Sequence, residues 1–134
     1  MHAGLATEDA AYVAQSLVEA DLKGVHSHGV LRLPRYVQEL AKGITNPNPN
    51  IHVATEGPSC ARIDGDHALG QLVGRFAMDL CLEKASTTGS ATVTSGRSHH
   101  FGAAGQFAAR ALDHDMIGIA MTVASPRLAP TGGR

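Results

Sequence analysis

The sequence predicts an α/β (α+β) chain in which a short helical region precedes alternating strands and helices. Three observations carry that expectation. Leu69, Leu72, Val73, Phe76, Ala77, Leu80, Cys81 and Lys84 recur at spacings of three, one and three, which describes one face of a long helix. Ile51 to Ala54 and Ser59 to Ile63 are short runs separated by Glu56-Gly57-Pro58, the pattern of two strands and a turn. The elements then follow in the order α-α, β-β-α-β-α-β, an alternation that builds a layered sheet rather than a helical bundle.

The first helix is expected from Thr7 to about Lys23, with Ala10, Val13, Ala14, Leu17 and Val18 as its apolar stripe. Thr7 can cap its start, Glu8 and Asp9 suit the first turn, and Gly24 ends it. A second helix runs from Pro34 to Lys42, with Val37, Leu40 and Ala41 inward and Gly43 as the stop. Asn46-Pro47-Asn48-Pro49-Asn50 cannot propagate a helix. It divides residues 1–45, a helical region, from residues 46–134, the α/β part. Within the latter, Asp64-Gly65-Asp66 reads as a turn, Gly89 closes the long helix, and Ala91 to Thr94 is a strand. Ala103 to Leu112 is a helix, Met116 to Val123 an apolar strand, and Pro126 to Gly133 irregular. A sheet normally covers its edge with a further strand. The chain therefore reads as the N-terminal portion of a longer protein.

Composition narrows the function classes. The 134 residues are 43% apolar and 17% charged, with a net charge of −1. That is a globular profile, and without a basic stripe it offers no electrostatic reason to bind nucleic acid or an anionic membrane. No apolar run approaches the length of a membrane span, and the first ten residues lack the pattern of a signal peptide. Cys60 and Cys81 sit inside apolar patterns and read as buried free thiols, which favours a reducing, cytoplasmic setting. Histidine is the unusual feature: four of the eight fall in His26-Ser27-His28 and His99-His100.

Two words could carry chemistry. In His26-Ser27-His28-Gly29 with Arg32 and Tyr36, residues 28, 32 and 36 share one face if the stretch is helical. Arginine can hold a small carboxylate by two parallel hydrogen bonds, and serine or histidine can polarise a neighbouring oxygen. The alternative is a loop of solvated histidines, and Pro34 argues against an unbroken helix. The second word, Ser98-His99-His100-Phe101-Gly102-Ala103-Ala104-Gly105, joins a strand to a helix, where loops commonly meet ligands. His100 there could exchange a proton near neutral pH, or it could belong to an incidental capping turn. No GxGxxG and no GxxxxGK[ST] occurs, so the usual dinucleotide and P-loop fingerprints are missing. His26, His28, His99 and His100 leave open a metal-binding protein or metal-dependent hydrolase, although no zinc-type spacing with a carboxylate or cysteine accompanies them. Asp64 and Asp66 could be a metal pair but read more simply as a turn.

With these words the chain resembles the malate/L-lactate dehydrogenase family, which includes ureidoglycolate dehydrogenases and Δ1-piperideine-2-carboxylate reductases. The matching stretches are Asp21 to Gly29, Arg32-Leu33-Pro34-Arg35-Tyr36, Leu69-Gly70-Gln71, Ser98 to Gly105, Met116-Ile117-Gly118, Ala124-Ser125-Pro126, Ala129-Pro130 and Gly132-Gly133. The resemblance implies a helical substrate-side region, a non-Rossmann, largely antiparallel NAD(P)-binding domain that is incomplete here, and a homodimer. It implies an oxidoreductase that moves a hydride between NAD or NADP and the C2 of a small 2-oxo/2-hydroxy acid, or in some members an imine. By position it makes His100 the proton donor/acceptor and His28 its catalytic companion. Ser27 and Arg32 would bind substrate, Tyr36 would border the pocket, and Ala124 would touch the cofactor. Two departures remove an amide able to bind a ligand: His99 stands where the family reads Asn, and Val123 replaces the Asn after Thr122.

Overall fold

The computed structural model describes residues 3–123. Helix α1 spans Thr7–Leu22 and α2 spans Leu33–Ala41, joined through two 3-10 turns at His26–His28 and Val30–Arg32. Strands β1 (His52–Glu56) and β2 (Cys60–Ala68) form an antiparallel pair. Helix α3 (Gly70–Thr88) then crosses to β3 (Thr92–Ser98), which lies parallel to β2. The sheet order is β1-β2-β3. A short helix α4 (Gly105–Ala109) runs directly into a 3-10 turn at Arg110–His114.

Three apolar clusters hold this together. Val13 and Leu17 of α1 meet Tyr36 and Leu40 of α2 and Leu69 and Leu72 at the start of α3. Ile63, Ala68 and Val73 pack α3 on the sheet, and Met78, Leu82, Phe107 and Ala111 pack α3 on α4. Helix α3 is thus the common wall, but the expected stripe holds only at its start: Leu72 and Val73 are buried, whereas farther on Met78 and Leu82 are buried and Phe76 is exposed, because α4 packs on a different side from the sheet. Gly89 ends it as expected: its φ of +80° is a left-handed conformation, and its N–H donates to Ala85 O.

Several expectations need correction. Thr7 does not cap α1; Ala6 occupies that position without a side-chain hydrogen bond. The buried face of α1 is Val13, Ser16, Leu17 and Ala20, leaving Val18 half exposed, because α2 and α3 approach from one narrow side. On α2, Tyr36 and Leu40 are buried while Val37 is exposed. Asp64-Gly65-Asp66 does not end β2. It forms a bulge in which Gly65, Asp66 and His67 stand opposite Arg97 alone, and the strand resumes at Ala68. Cys60 is exposed rather than buried, and Cys81 is half-buried; both are free thiols.

Met116 to Val123 is not a hydrogen-bonded strand. Met116 and Ala120 pack against the α3–α4 cluster, whereas Ile117, Ile119, Met121 and Val123 are 94%, 71%, 86% and 98% exposed. The alternation of a strand is there, yet no strand among the described residues pairs with it. Among the described residues no helix is long and apolar enough to cross a membrane.

Candidate active site

The first wall of the site is built by a carboxylate. Asp21, at the end of α1, accepts the Val30 N–H at 2.9 Å through Oδ2 and His26 Nδ1–H at 3.0 Å through Oδ1. These bonds, the backbone one foremost, hold its carboxyl below the usual carboxylate range. Gly29 makes this possible, since a Cβ there would overlap the Asp21 carboxylate. The two 3-10 turns are thereby folded back on α1, and they set Ser27, His28 and Arg32 at the mouth of the site.

The second wall is delivered by the β2–β3 bulge. Arg97 donates to Asp64 Oδ2 at 2.8 Å, Asp66 Oδ1 at 3.3 Å and His67 Nε2 at 3.2 Å. Asp66, His67 and Arg97 all have positive φ, a strained arrangement that this ion-pair network holds. Beyond it, His99 N–H donates to Ala68 O at 3.1 Å and Gly70 N–H donates to His100 O at 3.2 Å. A Cβ at Gly70 would overlap the His99 carbonyl oxygen and strike Phe101. The start of α3 and the His99–Phe101 segment can lie this close only because Gly70 has no side chain.

His100 sits where the two walls meet. Its Nδ1 accepts the Tyr36 hydroxyl at 2.7 Å and the Gly102 N–H at 3.3 Å. Those two donors place the remaining ring proton on Nε2, which has no partner among the described residues. The His28 ring stacks on His100 with centroids 5.3 Å apart, and His28 Nδ1 shares a 2.8 Å hydrogen bond with Ser27 Oγ. Burial lowers the His100 pKa, and the positive Arg32 guanidinium lowers it further. Burial likewise raises the Tyr36 hydroxyl, keeping it a neutral donor. Arg32 donates Nε–H to Ser27 O at 2.6 Å. Its terminal nitrogens make no hydrogen bond among the described residues and remain able to take a carboxylate.

The structure therefore brings together His100, His28, Ser27, Arg32 and Tyr36 from the two separate words. It does so without the continuous helical face that would place residues 28, 32 and 36 in line: Gly29 is extended and α2 begins only at Leu33. Ala124 lies outside the described residues. The four-histidine metal reading is not met. His26 turns to Asp21, His99 Nε2–H donates to Ile44 O at 2.9 Å, and only His28 and His100 pair. Among the described residues no group of three or more His, Cys, Asp or Glu side chains could hold a metal. Asp64 and Asp66 are occupied by Arg97. Sequence reasoning missed Asp21 as part of this site. It lies at the head of the first recognised word, but nothing in its spacing says what it touches.

Beside His28 opens a cleft of about 460 Å³, lined by Ser16, Glu19, Lys23, Phe101 and the small residues Gly102 to Gly105, with Thr122 at its edge. Of the site residues His28 lines this cleft and stacks on His100, whose imidazole, with the Tyr36 phenol and the Arg32 guanidinium, is equipped to bind a small carboxylate and move a proton on it. The chain belongs to the malate/L-lactate dehydrogenase family, which it matches over residues 1–134. It is 52% identical over 130 residues to malate dehydrogenase of Pyrococcus horikoshii, covering 97% of this chain and 36% of that protein. It is 45% identical over 131 residues to L-sulfolactate dehydrogenase of Methanocaldococcus jannaschii, covering 98% and 38%. With the NAD(+)-named ureidoglycolate dehydrogenase of Escherichia coli K12 it shares 38% over 131 residues, again covering 98% and 38%. The solved structure of malate dehydrogenase from Pyrococcus horikoshii OT3 superposes with a TM-score of 0.82 at 49% identity, over 84% of this chain and 32% of that one. The chain spans less than two-fifths of the length of these relatives.

Proposed function

We propose that the protein carrying this chain is an NAD(P)-dependent oxidoreductase acting at the C2 of small 2-oxo/2-hydroxy acids. The observation that carries the proposal is His100, held at Nδ1 by Tyr36 and Gly102, with Nε2 unengaged among the described residues and Arg32 nearby. Arg32 binds the substrate carboxylate with its terminal nitrogens, and Ser27 and His28 orient the oxygen at C2. In the reducing direction His100 enters as imidazolium and gives its Nε2 proton to that oxygen. In the oxidising direction the ring, neutral with its own proton on Nδ1, takes the hydroxyl proton at Nε2.

The small residues Gly102 to Gly105 leave room for a flat ring next to His28, so the residues present fit the reactive end of a nicotinamide. When bound, that group supplies or receives the hydride. Phe101 to Gly105 and Thr122 would border it, together with Ala124. The described residues offer no glycine-rich phosphate loop, so the choice between NAD and NADP falls to other segments. In this reading residues 1–45 are the substrate-side region and residues 46–134 begin a non-Rossmann, largely antiparallel cofactor domain. The partners are a small 2-oxo/2-hydroxy acid and a second copy in a cytoplasmic homodimer.

The test is turnover of the full-length protein with NADH and NADPH against a panel of 2-oxo acids. Replacing His100 by Ala should cut kcat by roughly 10²-fold or more while leaving the circular dichroism unchanged. Undiminished turnover would remove His100 from the mechanism.

A further inference from the structure

Tyr36 and His100 meet from opposite sides of the site, and few bonds tie those sides to each other. The segment carrying His100 is fastened twice on the sheet side. His99 N–H donates to Ala68 O at 3.1 Å, and Gly70 N–H donates to His100 O at 3.2 Å. Two anchors on one side leave the segment able to pivot toward or away from α2, where Tyr36 stands. Packing of Tyr36 and Leu40 on Leu69 and Leu72 brings the walls into contact, but apolar burial is non-directional. The 2.7 Å hydrogen bond between the Tyr36 hydroxyl and His100 Nδ1 needs a closer setting than that. The His99 side chain supplies it. Its Nε2–H donates to Ile44 O at 2.9 Å, across 55 positions of sequence. Apart from the Tyr36–His100 bond itself, this is the one hydrogen bond among the described residues that joins residues 97–105 to α2 and the loop leaving it.

That loop continues α2 through further backbone bonds. Ile44 N–H and Thr45 N–H both donate to Glu39 O, at 3.0 and 3.3 Å, and Glu39 lies one turn beyond Tyr36 on α2. Asn46 N–H donates to His67 O at 2.9 Å, which holds the same loop to the bulge. The bonds close a ring. It runs from Tyr36 to Glu39 along α2, from Glu39 O to Ile44, and from Ile44 O to the His99 side chain. One peptide farther on is His100, whose Nδ1 returns to the Tyr36 hydroxyl. We propose, given the acid–base role proposed for His100, that His99 is a positioning residue whose imidazole fixes the Tyr36–His100 hydrogen bond by fastening the His100 segment to the loop leaving α2. A carbonyl oxygen only accepts, so the bond places a proton on His99 Nε2. Protonation of the ring adds its proton at Nδ1 and leaves that bond in place. The titratable ring facing His99 is His67, with centroids 6.0 Å apart.

The charged and titratable groups around His100 are His28, Arg32, Arg35, Tyr36 and Glu39. All are retained in two variants of His99. His99→Phe keeps the ring without a donor, and His99→Gln keeps an N–H of similar reach without the ring. A hydroxyl donating to Nδ1 favours the neutral imidazole, so loosening that bond raises the His100 pKa. ¹⁵N titration of histidine-labelled full-length protein reads this without turnover. His99→Phe should raise the His100 pKa by up to about one unit, the worth of one net hydrogen bond, and His99→Gln should keep the wild-type value. In a Tyr36→Phe background, where the bond is already absent, His99→Phe should add no further rise. The wild-type ¹⁵N shifts should also show the His99 proton on Nε2, a measurement that needs no variant to fold. These shifts without any turnover would fail only the oxidoreductase reading. An Nδ1–H tautomer at His99, an unchanged His100 pKa in His99→Phe, an equal rise in His99→Gln, or an undiminished rise in the Tyr36→Phe background would overturn the positioning role.

Discussion

At the residue scale the site is governed by one imidazole whose surroundings resist its protonation. Burial and the neighbouring cations lower the His100 pKa below its ordinary value of about 6.5. As pH falls, the unfolded chain therefore takes up this proton before the native one does. The stabilisation is complete above about pH 6.5 and is lost as pH falls through the lower native value. Urea denaturation should show that slope in the wild-type chain and not in His100→Gln. The same shift orders the rates. Oxidation, which uses neutral His100, should hold its plateau to below pH 6.5, whereas reduction should quicken as the pH falls toward the native pKa. A pH–rate profile of the full-length protein with both limbs above 7 would contradict this assignment.

At the scale of elements, the two 3-10 turns matter more than the helices that flank them. Asp21 accepts a backbone N–H and an imidazole N–H from the segment that follows it, a closure of short sequence separation that folds the turn carrying Ser27 and His28 back on α1. Gly29→Ala places a methyl group on that carboxylate. Its backbone is extended, so the cost is not conformational; the carboxylate must swing away and abandon its bonds. A loss of stability is expected, measured by denaturant titration, with a raised substrate KM because Arg32 follows the displaced turn. Stability and KM both equal to wild type would show that the turn tolerates the shift. On the opposite wall, the bulge with left-handed Asp66, His67 and Arg97 does a comparable job through ion pairs across the sheet.

At the scale of the molecule, α3 unites the parts. It contacts α1 and α2 with its first turn, the sheet with Val73, and α4 with Met78 and Leu82. The segment after α4 turns one edge inward and leaves Ile117, Ile119, Met121 and Val123 in solvent. Such a contiguous apolar row promotes association. A polypeptide of residues 1–134 produced by itself should bind a hydrophobic dye and associate with rising concentration, and Ile119→Lys should reduce both. Because Ile119 is exposed, its unfolding free energy should change by no more than about 0.5 kcal/mol. Sedimentation velocity that shows a monomer at every concentration would refute the expectation.

The amino-acid pattern alone determined α3, its glycine stop and the α/β order, since these depend on periodicities and caps that act over a few residues. It also marked both histidine words, because a cluster of imidazoles and a guanidinium is visible without coordinates. It misplaced the end of β2, because Asp64-Gly65-Asp66 has turn chemistry and only Arg97, 31 residues beyond Asp66, converts it into a bulge. It named Met116 to Val123 a strand, since side-chain alternation is local while strand pairing needs a partner. The meeting of Tyr36 with His100, 64 positions apart, was decided by tertiary structure. Hydrogen bonds between distant residues exist only after α3 has packed the two walls together, and no spacing along the chain encodes them.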